Sequence, residues 1–147
     1  VKSFNRSCCW EIKLFNLIGH NIVISESLRN AATAIGGSGP GFWGYWIDSL
    51  PESERAEYES KYFIPQLTNA AVKLGLDQGK ARLSAELVVN GSRVMINLLN
   101  ITPKELVEKV ASKGGTTEAG LEILKKDGSL AEAVKAAENR AKELSKK

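Results

Sequence analysis

The residues best placed to do chemistry are Ser112-Lys113-Gly114-Gly115-Thr116-Thr117. Two adjacent glycines open backbone angles closed to other residues and leave no Cβ in the way of an approaching group. Helical periodicity resumes at Thr116, so the unpaired amides of a helix N-terminus and the hydroxyls of Thr116 and Thr117 share one small space. Unpaired N–H groups and the helix dipole together favour an anion there, by roughly 0.3–1 kcal/mol when exposed and about 2 kcal/mol when partly buried. The same residues also satisfy a plain helix–helix turn with a threonine cap.

Other constellations have weaker chemistry. Gly39-Pro40-Gly41-Phe42-Trp43-Gly44 spells G-x-G-x-x-G, but a dinucleotide fingerprint must follow a buried strand and open a βαβ unit, and the chain carries no such strands. Ser38 sits among glycines, yet Pro40 stands where a nucleophile elbow needs its last glycine and His20 is the only base on offer. His20 itself reads as a surface or turn residue. With one histidine and two cysteines, Cys8 and Cys9, no ligand set for zinc emerges. Adjacent cysteines are poorly disposed to bridge each other, so reduced thiols are expected. Glu26 and the carboxylates from Glu52 to Glu59 read as solvated faces or caps. Trp10, Trp43 and Trp46 read as core or interface, and the Asn-x-Ser/Thr triplets at Asn5, Asn90 and Asn100 as chance.

The elements that must position the turn are helical. Thr102 and Glu105 form a capping box with Pro103 at the first helical position, which starts the helix before the turn. Asp77 caps a long helix from Gln78 to about Leu99, with Ala81, Ala85, Val88, Ser92, Met95, Ile96 and Leu99 on its stripe. Ser129 and Glu132 cap a last helix carrying Leu130, Ala133, Val134, Ala137, Ala141 and Leu144. Upstream, periodicity begins near Cys9 with Trp10, Leu14, Leu17 and Ile18 on one face. Only His20 to Ile24 has strand character, and a short helix follows through Leu28, Ala31, Ala32 and Ile35. Pro40 opens a helix with Phe42, Trp43, Trp46, Ile47 and Leu50 on its apolar positions. Ser49 to Glu52 has the form of another capping box, leading into a charged helix that Tyr62-Phe63-Ile64-Pro65 breaks again. Leu67, Ala70, Ala71 and Leu74 then make a stripe stopped by Gly75. The small residues before Phe42 would let another helix, or another subunit, approach closely.

The chain of 147 residues, 43% apolar and 25% charged, is sized for one domain with a core. Its net charge of +3 comes from cations interspersed with acids, which is no nucleic-acid footprint. Neither a membrane span nor a secretory leader is evident, so a cytoplasmic protein without membrane contact is expected.

Several of these stretches together resemble the pyrroline-5-carboxylate reductase family. Ala34-Ile35-Gly36-Gly37-Ser38-Gly39-Pro40-Gly41-Phe42 is similar to its Ser-Gly-Ser-Gly-Pro-Ala-Tyr segment, and Ala71-Val72-Lys73-Leu74-Gly75-Leu76 to its Gly-Val-Lys-x-Gly-Leu. Leu14 to Gly19 resembles the helix leading into the domain. Thr102 through Leu124 resembles the Pro-x-x-Leu…Ser-Pro-Gly-Gly-Thr-Thr-x-x-Gly-Leu motif, whose order and spacing are the specific part.

The resemblance implies an all-α helical bundle, a dimerisation domain of the 6-phosphogluconate dehydrogenase C-terminal-like type, over residues 10–147. Residues 1–9 would then be a residual linker from a missing N-terminal segment. The implied reaction is reduction of 1-pyrroline-5-carboxylate to proline with NADPH or NADH, bound by a domain absent from this chain; the chain alone would be inactive. Ser112, Gly114, Gly115, Thr116 and Thr117 would surround the small carboxylate substrate, with the Thr117 hydroxyl, the catalytic candidate, hydrogen bonding or protonating the imine nitrogen. Gly37, Ser38, Gly39 and Pro40 would lie at the interface of a homodimer or higher homo-oligomer. The alternatives are a standalone non-catalytic dimer module and a related dehydrogenase acting on another small acid. Departures from the family pattern are Lys113 for proline, Thr102 for a common histidine, Asn100 where some members have an acid, and Gly36 and Gly41 for serine and alanine. The largest is an insertion at about 51–66.

Overall fold

The computed structural model describes residues 6–17 and 19–146. Helix α1 spans Arg6–Phe15, beginning before the expected Cys9, and exposes Trp10, Leu14 and Phe15. The side chains of Cys8 and Cys9, and Ile18 altogether, lie outside the described residues. His20 to Ile24 runs as irregular chain, and among the described residues no strand occurs, so the class is all-α. A 3-10 turn (Glu26–Leu28), the single turn α2 (Arg29–Ala32) and a π turn (Thr33–Gly37) lead to α3 (Gly39–Ile47).

Helix α3 is the axis of the bundle. Phe42, Trp43 and Ile47 are fully or almost fully buried. Around it stand α6 (Gln78–Leu99), α7 (Pro103–Val110) and α8 (Thr116–Leu124), while α9 (Leu130–Leu144) packs along α8 and α5 (Ile64–Lys73) along α6. Close approach is set by missing side chains. A Cβ on Gly44 would stand 2.9 Å from the Pro103 carbonyl oxygen and 2.9 Å from Val107 Cγ2, so α3 and α7 touch nearly backbone to backbone. A Cβ on Gly120 of α8 would stand 2.3 Å from Phe42 Cζ and 2.8 Å from the Ala133 carbonyl oxygen.

The expected caps form at three helices. Asp77 accepts from the Lys80 amide, and Thr102–Glu105 and Ser129–Glu132 are both complete capping boxes. The one expected at Ser49–Glu52 does not form. Pro51, extended at φ −55° and ψ 143°, is itself the residue before α4 (Glu52–Tyr58), and the Ser49 hydroxyl donates back to the Trp46 carbonyl. Nor does the chain break at Tyr62–Pro65: α4 passes through a π turn (Glu59–Phe63) straight into α5, with Pro65 in the first turn of α5. The wide turn takes up the misfit that a proline ring and its missing N–H introduce into a helix.

Another correction concerns Glu59, expected on a solvated face. It is 1% exposed, and its Oε1 accepts from the Trp43 indole N–H at 2.7 Å and from Arg93 Nε at 3.2 Å. The Arg93 guanidinium also pairs with Oε2. The 51–66 segment is thereby pinned to α3 and α6 through one buried carboxylate. On α6 the stripe is buried only in its first half. Ala81, Ala85, Val88 and Ser92 are inside, whereas Met95 and Leu99 are 36% and 53% exposed.

Candidate functional site

Helix α7 ends at Val110, and the chain turns through Ala111 to Gly115 before α8 begins. The Gly115 amide donates to the Ser112 carbonyl at 2.9 Å, closing the turn. A Cβ on Gly115 would meet Ser112 Oγ at 2.4 Å. Gly114 sits at φ +70°, in the left-handed region where side chains are unfavourable. Both of its polar backbone groups are taken by side chains. Its N–H donates to Glu118 Oε2 at 2.6 Å, and its carbonyl accepts from Arg140 Nε at 2.7 Å. Arg140 is steadied in turn by Glu143, 2.7 Å from Nη1.

Gly115 is the residue before α8, so the amides of Thr116, Thr117 and Glu118 are first-turn donors without intrahelical acceptors. Thr116 is half-buried and Thr117 only 3% exposed, while Ser112 and Lys113 are exposed. The Thr117 methyl points at α3: a Cβ on Gly41 would lie 2.4 Å from Thr117 Cγ2 and 3.2 Å from Val110 Cγ2. Glycine at position 41, where the resemblance leads one to expect alanine, gives this methyl its place.

The Gly-Pro segment meets this turn within one chain. Ser38, wholly buried, donates from Oγ to Thr116 Oγ1 at 2.9 Å. Gly39 is buried against Val88 of α6, Pro40 is half-buried and Gly37 is exposed. Beside Gly36 and Pro40, an apolar groove of about 430 Å³ runs between the 20–24 segment and α6, lined by Ile22, Ile24, Leu87 and Met95 among others. The literal G-x-G-x-x-G lies inside α3, with Gly39, Gly41 and Gly44 packed against Val88, Thr117 and Pro103 respectively. Buried helical backbone cannot cradle a pyrophosphate, so these residues do not fit a dinucleotide.

Sequence reasoning did not identify Glu118, Arg140 or the Ser38–Thr116 bond. Glu118 carried a usable signal, being an acid at the third position of a helix, from which carboxylates reach back to amides. Arg140, 26 residues from Gly114, carried none.

Comparison with known proteins agrees with this architecture. The family model described as pyrroline-5-carboxylate reductase dimerisation matches residues 60–144. The chain belongs to this family. A pyrroline-5-carboxylate reductase from Synechocystis sp. is 31% identical over 137 residues, covering 91% of this chain and 45% of the relative. That of Methanosarcina acetivorans is 31% identical over 139 residues (92% and 45%), and one from Staphylococcus epidermidis 30% over 138 residues (92% and 45%). The chain thus spans less than half the length of these curated relatives. No solved structure matches it. Among the described residues, no helix is long and apolar enough to cross a membrane.

Proposed function

We propose that this chain is the helical dimerisation and substrate-binding part of an NAD(P)H-dependent pyrroline-5-carboxylate reductase-like oxidoreductase of proline biosynthesis, reducing 1-pyrroline-5-carboxylate to proline. The supporting observation is the Gly114–Thr117 turn, whose backbone is fixed by Glu118, Arg140 and Ser112 while the first amides of α8 remain available. In this reading those amides hold the substrate carboxylate, with Ser112 and Thr116 flanking it. The Thr117 hydroxyl donates to the ring nitrogen, which gains a proton as the C=N carbon gains a hydride. The nicotinamide would have to be held outside these residues.

Homodimerisation is the second part of the proposal. Gly36, next to Gly37, and Pro40 border the apolar groove, and Val94, Leu98 and Leu99 continue an apolar surface on α6 that is 53%, 80% and 53% exposed. A second copy covering that surface would bring Gly37 and Pro40 to the interface, with Ser38 and Gly39 buried beneath them. A non-catalytic dimer module is the alternative, favoured by the burial of Thr117.

Titration of the isotope-labelled chain with L-proline, with pyrrolidine as the control lacking a carboxylate, tests the reading. Millimolar proline should shift the amides of Gly115 to Glu118, and the double variant Gly115→Val, Thr117→Val should abolish the response. A wild-type chain that ignores proline refutes carboxylate binding at the turn. Light scattering that finds a monomer at micromolar concentration refutes the interface.

A further inference from the structure

We propose that Arg140 is a positioning residue for the carboxylate site, acting with Glu118 as a clamp on Gly114; this rests on the carboxylate reading of the turn given above. Gly114 is the residue of the turn with the least intrinsic restraint, a glycine in the left-handed region followed by a second glycine. Nothing in its own side chain fixes it. What fixes it comes from two helices. Glu118 of α8 holds the N–H at 2.6 Å, and Arg140 of α9 holds the carbonyl at 2.7 Å.

The carbonyl of Gly114 and the amide of Gly115 belong to one rigid peptide unit. Arg140 therefore fixes one side of that plane while the Ser112 carbonyl, 2.9 Å from the Gly115 amide, fixes the other. The next peptide plane carries the Thr116 amide, so with Gly115 extended at φ −85° and ψ 176° the orientation of the first plane is passed on to it. Arg140 suits the task because three of its features are themselves constrained. Its Nη1 is held by Glu143, its Nη2 lies 3.5 Å from where a Cβ of Gly114 would stand, and its side chain is only 31% exposed. A guanidinium also adds no acceptor to the site and places a positive charge beside the turn. Lysine at the same position would keep the charge but lose the planar fork.

The test compares wild type, Arg140→Leu and Arg140→Lys by proline titration and by amide hydrogen exchange at Gly115. Arg140→Leu should weaken proline binding roughly tenfold, the scale of a lost charge-assisted hydrogen bond, and accelerate Gly115 exchange. Arg140→Lys should recover part of the affinity. A folded Arg140→Leu with wild-type affinity overturns the proposal, because a mere structural brace would lower stability and leave the binding of folded molecules unchanged. Should Arg140→Leu not fold, Arg140→Lys decides, and undiminished affinity there overturns the clamp. If the wild-type chain does not bind proline, the carboxylate reading fails separately. Gly115 exchange then decides the clamp: faster exchange in the folded variants supports it, and unchanged protection overturns it.

Discussion

Ser38 Oγ donates a hydrogen bond to Thr116 Oγ1 across 2.9 Å, joining the start of α3 to the start of α8 over a sequence separation of 78. Ser38 has no exposure, whereas Thr116 is half-buried. Ser38→Ala removes both the donor and its buried polar atom, and leaves the Thr116 hydroxyl within reach of water. We expect a loss of about 1 kcal/mol, the net value of an ordinary hydrogen bond, measured by urea denaturation. Ser38→Val, which also adds bulk at a filled position, should cost more. Equal stability for wild type and both variants would contradict this coupling.

Two glycines on the same interface predict different outcomes for the same substitution. At Gly41 the new methyl would meet Thr117 Cγ2, the end of a side chain that can rotate. Gly41→Ala should therefore cost about 1 kcal/mol and change the Thr117 methyl resonance. At Gly120 it would meet both the Phe42 ring and the Ala133 carbonyl oxygen, and neither can yield without moving a helix. Gly120→Ala should cost about 3 kcal/mol by overpacking. Thermal unfolding of the two variants side by side gives the comparison, and a reversed order would show that the α3–α8 contact is softer than its geometry.

The buried carboxylate of Glu59 ties the largely exposed 51–66 segment to the core. Arg93→Ala would strand that carboxylate with the Trp43 indole as its remaining described donor, a loss of about 3 kcal/mol. Glu59→Gln keeps an acceptor for Trp43 and should cost less, about 1–2 kcal/mol. Urea midpoints for both single variants and their combination would give the coupling energy. Additive losses would mean that Glu59 and Arg93 do not act as a pair.

What could be read in the sequence was local. The caps at Asp77, Thr102 and Ser129, the stop at Gly75 and the break before Thr116 each depend on residues within four positions of one another, and all are observed. Failures occurred where distant contacts decide. Glu59 looks like a surface acid because its neighbours in sequence are charged, and only the π turn that follows α4 brings it to Trp43 and Arg93. Pro65 looks like a helix breaker because of its ring and missing N–H, but the π turn before it leaves it in the first turn of α5, where both are tolerated. At the candidate site the glycines and threonines were legible, but the groups that orient them, Arg140 on α9 and Ser38 just before α3, are distant from the turn in sequence.

Acid sensitivity should follow the capping carboxylates. The Thr102 amide and hydroxyl hold the Glu105 carboxyl below the ordinary glutamate range, and the Ser129 hydroxyl and amide do the same for Glu132. The Lys80 amide lowers Asp77. At Glu138 burial pushes the pKa up, but hydrogen bonds from Lys135 and Lys142 outweigh it and leave the carboxyl lowered. Each of these groups binds its proton more weakly folded than unfolded, so each stabilises the fold at neutral pH. That contribution is complete above the unfolded values, about 3.9 for aspartate and 4.3 for glutamate, and is lost as pH falls through the lower folded values. Urea midpoints should therefore be level from about pH 7 to 5.5 and decline below about pH 4.5. The variant Glu105→Gln, Glu132→Gln should be less stable at neutral pH, decline less steeply, and converge on wild type at the acid end. Parallel curves for the two proteins would show that these caps do not govern the acid response.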